Sequence, residues 1–427
     1  MSHEAVKVRW PICCVGMLDD SRRSCGLSSP GPAGVPRPAR DQWPGENLLI
    51  GHLLSAVPCA SRIHDNHHRR LNSIRSSAMP IHRAVHLSKR PHGHIVPSVT
   101  FSISIHESPD IDVLQNGEVI LRTLYLSIDP AMRGWLDDDR SYVAPVELGE
   151  MMRGQGLAVV EASKSEVFSP GDYVLANTGW SEVVRLHESV LQPVPVSSDV
   201  NLTDWMGVLG FTGMTAYFGM TDIGRVRSGD LVVVTGAGGA TGSVAGQIAK
   251  LKGATVVGIA GSAEKCTQLV SELGFDKALN YKAADFAQEF AHATEALIDV
   301  FYDNVGGEIL DLALTRAKPH ARFVMCGGVS QHNSTEPYGL KNYLKIVRLR
   351  IRMEGFIVLD YKDRFEEART QLAEWLKTKA IKSQETIVRG GLASAERALM
   401  GLYEGTNTGK SLLTAPQTTL DAANSQP

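Results

Sequence analysis

A chain of 427 residues, 43% of them hydrophobic, has room for roughly two or three domains with sizeable cores. Its formal charge of −3 is spread without a basic stripe, which argues against a nucleic-acid partner. No apolar run is long enough to span a bilayer, which argues against a membrane partner.

Residues 1–78 carry seven prolines, scattered arginines and the pair His67-His68 with little periodicity, and are expected to form an irregular, disordered extension. Ten Lys/Arg against six Asp/Glu is not the acid-poor composition of a transit peptide, and no compact apolar segment marks a secretory signal. Met79 would serve as an alternative start, and residues 415–427 read as a loose polar tail. Four of the six cysteines (Cys13, Cys14, Cys25, Cys59) lie in the extension without zinc-ribbon spacing, leaving Cys266 and Cys326 for the body. This usage fits a reducing compartment, most simply the cytosol.

From Pro80 to Leu209 the pattern is short strands and turns. Glu118–Leu126 alternates, Gly156–Glu161 follows, Pro170-Gly171-Asp172 turns into Tyr173–Ala176, and Ser181–Leu186 closes the run. Such a series predicts a small, mostly β, partly open barrel. From Gly210 the rhythm becomes βα alternation. Leu231–Thr235 is continuously apolar and β-branched, as suits a strand buried on both faces. Gly236, Gly238, Gly239 and Gly242 crowd the following turn. Val244, Ile248 and Leu251 then fall on one helical face, and Gly253 stands where the helix should stop. Further strands are predicted at Ala254–Ala260, Ala278–Tyr281, Leu297–Tyr302, Arg322–Cys326 and Arg352–Leu359. Helices are predicted at Ser262–Leu273, Gly307–Arg316 and Asp363–Lys377. Six parallel strands fit a doubly wound sheet, and Lys410–Leu413 reads as a last strand returning to the β-rich domain.

A strand, a glycine turn and a helix in that order leave unpaired N–H groups and a positive dipole end, which suits a pyrophosphate. Close backbone approach accounts for so many glycines better than turning alone does. The end of the next strand bears on which dinucleotide binds. An NAD site keeps an acid there for the ribose hydroxyls, whereas this chain has Ala260, Gly261, Ser262, Ala263, Glu264 and Lys265. An acid at the strand tip would repel a 2′-phosphate, while Ser262 and Lys265 would hold one, so NADPH is expected over NADH. Ligands bind at strand carboxyl ends, which makes Asn304 and the Cys326–Ser330 segment further candidates.

The ordered motifs bear a family resemblance. They are SIDPAMRGW, SYVAPVELGEMMRG, GFTGMTAYFG, GAGGATGSVAGQIAKLKG, LNYK, YDNVGGE, RIRMEGFIV and GTNTGK. From Met79 to Ala415 the chain resembles the medium-chain dehydrogenase/reductase superfamily, in the zinc-independent branch of leukotriene hydroxydehydrogenase/prostaglandin reductases and double-bond reductases. The resemblance implies a GroES-like partly open β-barrel (residues 79–209 and 383–414) and a Rossmann domain (residues 210–382). The active site would lie in the cleft between them, and a homodimer is common. It further implies that Gly239, Ala240, Thr241 and Gly242 line the pyrophosphate, and that Lys265 and Tyr281 clasp the 2′-phosphate. Asn304, Cys326, Gly327, Gly328, Val329, Ser330, Phe356, Ile357, Val358 and Asn407 would flank the nicotinamide half.

Zinc enzymes of the superfamily use Cys and His ligands, but residues 79–209 contain no cysteine. Where those enzymes place Gly-His-Glu, this chain reads Gly154-Gln155-Gly156, so no metal is expected. The short-chain dehydrogenase alternative needs Tyr-x-x-x-Lys, and none of the ten tyrosines has Lys four residues on. Without a Lewis acid, a conjugated C=C–C=O is the easiest acceptor, because one or two hydrogen-bond donors suffice for the enolate oxygen. The expected reaction is therefore NADPH-dependent reduction of an enal or enone. The resemblance departs at the donor. Many relatives carry Tyr where this chain has Ala131, and others carry one where it has Arg348. Tyr142 and Tyr343 remain as catalytic candidates, and Arg133 faces either a polar substrate or a structural ion pair. Rival readings are a quinone reductase, a weakly catalytic NADPH-binding sensor or partner protein, and an enoyl reductase working in trans.

Overall fold

A computed structural model describes residues 80–415. The disorder expected of residues 1–78 lies outside the described residues, as does all of the expected tail beyond Ala415. The chain opens with β1 (Ile81–Leu87) and β2 (Phe101–Glu107), paired antiparallel in unbroken register from Ile81↔Glu107 to Leu87↔Phe101. Sequence reading named no strand here, because β1 interrupts its short apolar runs with His82, Arg83 and His86.

The expected β-rich run follows: β3 (Glu118–Ile128), α1 (Ala131–Gly134), β4 (Gly156–Ser163), β5 (Tyr173–Ala176), β6 (Val183–His187) and the two-residue β7 (Gln192–Pro193). Neighbouring strands are antiparallel, and two register shifts interrupt the long β3–β4 pairing. Such irregularities bend a strand and raise its twist, as a closing barrel needs. Trp180, fully buried, packs with Phe101 at a ring-centroid distance of 5.1 Å.

After α2 (Phe211–Phe218) comes strict alternation: β8 (Leu231–Thr235), α3 (Ala240–Leu251), β9 (Thr255–Ala260), α4 (Ala263–Ser271), β10 (Lys277–Asn280), α5 (Phe286–Ala293), β11 (Ile298–Asp303), α6 (Gly307–Thr315), β12 (Ala317–Met325), α7 (Leu344–Leu349), β13 (Arg352–Gly355) and α8 (Phe365–Lys377). All six strands are parallel, in the order β10-β9-β8-β11-β12-β13. This doubly wound order reverses between β8 and β11, and the crevice at that switch point is where such sheets bind ligands. All five residues of β8 are buried, and each fully buried valine contributes about 1.5–3 kcal/mol. Gly246 lets α3 approach the Phe275 ring more closely than any side chain would permit. The buried face of α3 is Val244, Ala245, Ile248 and Ala249; Leu251, read as part of it, is 43% exposed because it lies in the last turn. Gly253 adopts φ +81° immediately after the helix, as a stop requires.

Two strands differ from expectation. β12 starts at Ala317, five residues early: Pro319 and His320 (φ 66°) make an excursion, so the register jumps from Ile298↔Ala317 to Val300↔Arg322. β13 stops at Gly355, and Phe356, Ile357 and Val358 leave the sheet. The chain then returns through β14 (Glu385–Val388), α9 (Ala395–Glu404) and β15 (Lys410–Thr414). β15 pairs antiparallel with β3, which completes a seven-stranded sheet built from both ends of the described chain.

Candidate cofactor and substrate cleft

The carboxyl ends of β8, β9, β11 and β12 open into a cleft of about 1440 Å³, walled on the other side by the turn after β3 and by residues 402–411. A small-ligand pocket is typically about 300–1,000 Å³, so this space suits a dinucleotide together with a second molecule.

At its centre, Gly236 (φ +58°) turns the chain out of β8, and a Cβ on Gly242 would overlap the Gly236 carbonyl oxygen. Gly239 caps α3 without a side chain, and Ser243 is the residue whose N–H reaches back to it, at 3.0 Å. Ala240, Thr241 and Gly242 lie before that point and line the cleft, so first-turn amides and the positive helix end face it.

The neighbouring strand end is fastened by a polar knot. Thr235 Oγ1 donates to Asp303 Oδ1 (2.8 Å), while Asn304 donates its backbone N–H to Thr235 Oγ1 (2.8 Å) and its side-chain amide to the Thr235 carbonyl (2.7 Å). Asp303 is fully buried and accepts from the Val305 and Gly306 amides. Burial raises its pKa, and those amides and Thr235 pull it back. Asp303 escaped the sequence reading, although an acid ending a buried strand was the available signal. Cys326 is half-buried beside it; burial pushes its thiol up to about 12, opposed by the Tyr302 hydroxyl. The backbone of Val329 and Ser330 donates to the carbonyls of Asn304 and Val305, holding the Cys326–Ser330 loop against β11.

At the far end, Lys265, Tyr281 and Lys282 converge, with Lys282 Nζ 5.7 Å from the centre of the Tyr281 ring. Burial, and then repulsion from Lys282, lowers the Lys265 pKa. Its Nζ donates to the Gly405 carbonyl at 2.8 Å. Ser262 is placed otherwise than expected: it caps α4, its Oγ accepting the Lys265 N–H, and it lies outside the cleft lining. A further clasp joins Gly409 N–H to the Gly238 carbonyl at 2.8 Å, beside Asn407.

The other end carries the aromatic side chains Trp135, Tyr142, Phe211 and Tyr403 around Ala131, with polar residues such as Arg153 and Asn177 also lining it. Behind Ala131, the buried ammonium of Lys410 pairs with Asp129, which also accepts from Ser127. The Tyr403 hydroxyl donates to the Pro130 carbonyl at 2.6 Å. Tyr142 lies in the cleft and its oxygen accepts the Trp135 indole N–H at 3.2 Å.

All sixteen cofactor candidates therefore line one cleft: Gly239, Ala240, Thr241, Gly242, Lys265, Tyr281, Asn304, Cys326, Gly327, Gly328, Val329, Ser330, Phe356, Ile357, Val358 and Asn407. Two other candidates do not. Tyr343 caps α7 at the surface, 57% exposed. Arg133 is 2% exposed, its guanidinium is occupied by the Gly93 and Pro91 carbonyls and by Asp137 (2.6 Å), and it does not line the cleft. Among the described residues no group of three or more His, Cys, Asp or Glu is placed to hold a metal, and no helix is long and apolar enough to cross a membrane.

Two family models match: the N-terminal domain of oxidoreductase over residues 83–194 and the zinc-binding dehydrogenase model over residues 240–375. The chain is 39% identical to the NADPH-dependent curcumin reductase of Escherichia coli, over 76% of this chain and 94% of that protein. It is 35% identical to an NADP-dependent 2-alkenal reductase of Nicotiana tabacum, over 74% of this chain and 91% of the relative. The crystal structure of CurA from Vibrio vulnificus in complex with NADPH superimposes with a TM-score of 0.74 at 38% identity, covering 78% of this chain and 99% of that one. By architecture and by these matches, the chain belongs to the medium-chain dehydrogenase/reductase family, in its zinc-independent double-bond reductase branch.

Proposed function

We propose that the protein is an NADPH-dependent reductase of the C=C bond of α,β-unsaturated aldehydes or ketones. The observation that carries the reading is one cleft joining a glycine-turn helix end, a lysine pair at the adenosine end with no acid at the strand tip, and an aromatic pocket. The residues present fit the cofactor: with no side chain at Gly242 the first turn of α3 can pack directly on the Gly236–Ala237 backbone, so its amides reach the cleft, and Lys265 and Lys282 repel each other until an anion is placed between them. Gly239–Gly242 would take the pyrophosphate and Lys265 with Tyr281 the 2′-phosphate. Asn304, the Cys326–Ser330 loop, Phe356–Val358 and Asn407 would flank the nicotinamide. Bound there, NADPH supplies a hydride.

The chain's own residues then have three tasks. Trp135, Phe211 and Tyr403 exclude water and hold a flat conjugated substrate. The Tyr142 hydroxyl, polarised by the indole N–H it accepts, keeps its own proton free to donate to the enolate oxygen. The Lys410–Asp129 pair and the Tyr403–Pro130 bond hold the Ala131 turn in place. The absence of cysteine from residues 79–209 supports a reduction without metal, and the resemblance to the branch supports a homodimer acting on small molecules in the cytosol.

The deciding experiment follows nicotinamide absorbance with a panel of trans-2-alkenals, enones and quinones. Loss of absorbance with enals or enones, giving the saturated carbonyl, is expected. Faster turnover of quinones than of every enone would replace this reading with a quinone reductase, and NADPH binding without turnover would replace it with a sensor.

A further inference from the structure

The Ala131 turn carries no side chain that can move a proton to the substrate, and besides Tyr403, whose hydroxyl is bound to Pro130, the cleft brings the imidazole of His332 to this turn. The ring lies over the end of that turn: a Cβ on Gly134 would be 3.9 Å from both Nδ1 and Cε1 of the imidazole. It is half-buried, lines the cleft, and makes no hydrogen bond to protein. The backbone that carries it is held by hydrogen bonds on both sides. Gln331 on one side donates its backbone N–H to Gly328 (2.8 Å) and receives that of Tyr338 on its side chain (2.7 Å). Ser334 on the other side donates its N–H to the Gln331 carbonyl at 3.1 Å. An imidazole presented to the cleft from a held backbone, with both nitrogens unclaimed, is poised to handle a proton.

The neighbours of the ring suit that task. Tyr403 from α9 lies 6.3 Å away between ring centroids, but its hydroxyl is committed to Pro130. Arg133 and Asp137 stand behind, paired with each other. Burial first, and then the Arg133 charge, lowers the His332 pKa, while Asp137 pulls the other way. A protonated ring there surrenders its proton more readily than an exposed one.

From this geometry we infer that His332 is the general acid of the reduction, protonating the α-carbon of the enolate. The inference rests on the reductase reading above. Hydride addition at the β-carbon moves the C=C electron pair into the enolate. The enolate α-carbon then takes the proton from the imidazolium N–H, a new C–H bond forms, and neutral imidazole remains to be reprotonated by solvent. The sum is substrate, NADPH and one proton going to saturated carbonyl and NADP⁺.

The test uses the full chain and an α-methyl enone, with His332→Ala and His332→Gln, each checked for NADPH binding by fluorescence. Wild-type activity is expected to rise at least about threefold from pH 7.5 to pH 5.5, because the imidazolium fraction grows as pH falls through a pKa below the usual histidine value. The product should carry one configuration at the α-carbon. Both variants should bind NADPH within about threefold of wild type and lose about 10²-fold in kcat. They should also lose the acidic limb of the profile and give a mixed α-configuration, and added imidazole should restore His332→Ala. Variants that keep kcat, the acidic limb and the stereochemistry would overturn the assignment. Wild type that leaves NADPH unconsumed with every enone would instead overturn the reductase reading beneath it.

Discussion

Lys265 holds two jobs that compete for one ammonium group. In the structure its Nζ satisfies the Gly405 carbonyl at 2.8 Å, yet it also faces Lys282 across the end of the cleft. A dianionic 2′-phosphate answers that repulsion, and a bare ribose does not. A hydrogen bond to a charged group is worth about 1.5–3 kcal/mol. Replacing Lys265 with Met should therefore raise the KM for NADPH about 10- to 150-fold and leave that for NADH nearly unchanged. Steady-state kinetics with both cofactors checks it, and an equal loss for the two would show that Lys265 serves only the Gly405 loop. Ser262 illustrates a limit of reading residue types: the composition that suits a phosphate ligand is also the composition of a helix cap, and here the cap is formed.

Among the elements, β15 has the widest reach. It completes the seven-stranded sheet beside β3, and the loop before it supplies Gly405, Asn407 and Gly409 to the cofactor side of the cleft. Its first residue, Lys410, is 2% exposed and pairs with Asp129. The pair is asymmetric. Asp129 is 27% exposed on its side chain and has Ser127 as a second partner, whereas Lys410 has Asp129 and a buried environment. Asp129→Leu should cost about 3–5 kcal/mol by stranding a buried cation, and Lys410→Met clearly less. Urea titration of both variants measures the difference, and equal losses would refute the asymmetry. The sequence announced β8, α3 and the return strand because their apolar runs and glycines are local signals. It concealed β1, whose apolar positions are broken by histidines, and the first five residues of β12, where Pro319 and a left-handed His320 imitate a turn. The cofactor candidates were legible because they sit at strand ends. The contrast between Tyr142 and Tyr343 was not, because it depends on how the segments before α7 and after α1 pack, with one tyrosine entering the cleft and the other capping a surface helix.

At the scale of the molecule, the cleft is walled by two sheets, whose loops are tied across it by Gly409 to Gly238 and by Lys265 to Gly405. A dinucleotide lying along the cleft would add contacts to both walls at once, and anything that binds only the folded chain stabilises it by mass action. At 100 times its Kd, NADPH should add about 2.7 kcal/mol. If NADH binds 100-fold more weakly, the same concentration sits near its Kd and adds only about 0.4 kcal/mol. The melting temperature should therefore climb by several degrees with NADPH and hardly at all with NADH. Lys265→Met should erase most of the difference by lowering the NADPH shift, without raising that for NADH. Thermal melts of wild type and variant at matched cofactor concentrations read this out without any substrate, so they probe the lysine pair independently of the reduction chemistry. A wild-type shift equal for the two cofactors would mean that the 2′-phosphate finds no grip at Lys265 and Tyr281, and the adenosine end of the cleft would need a different occupant.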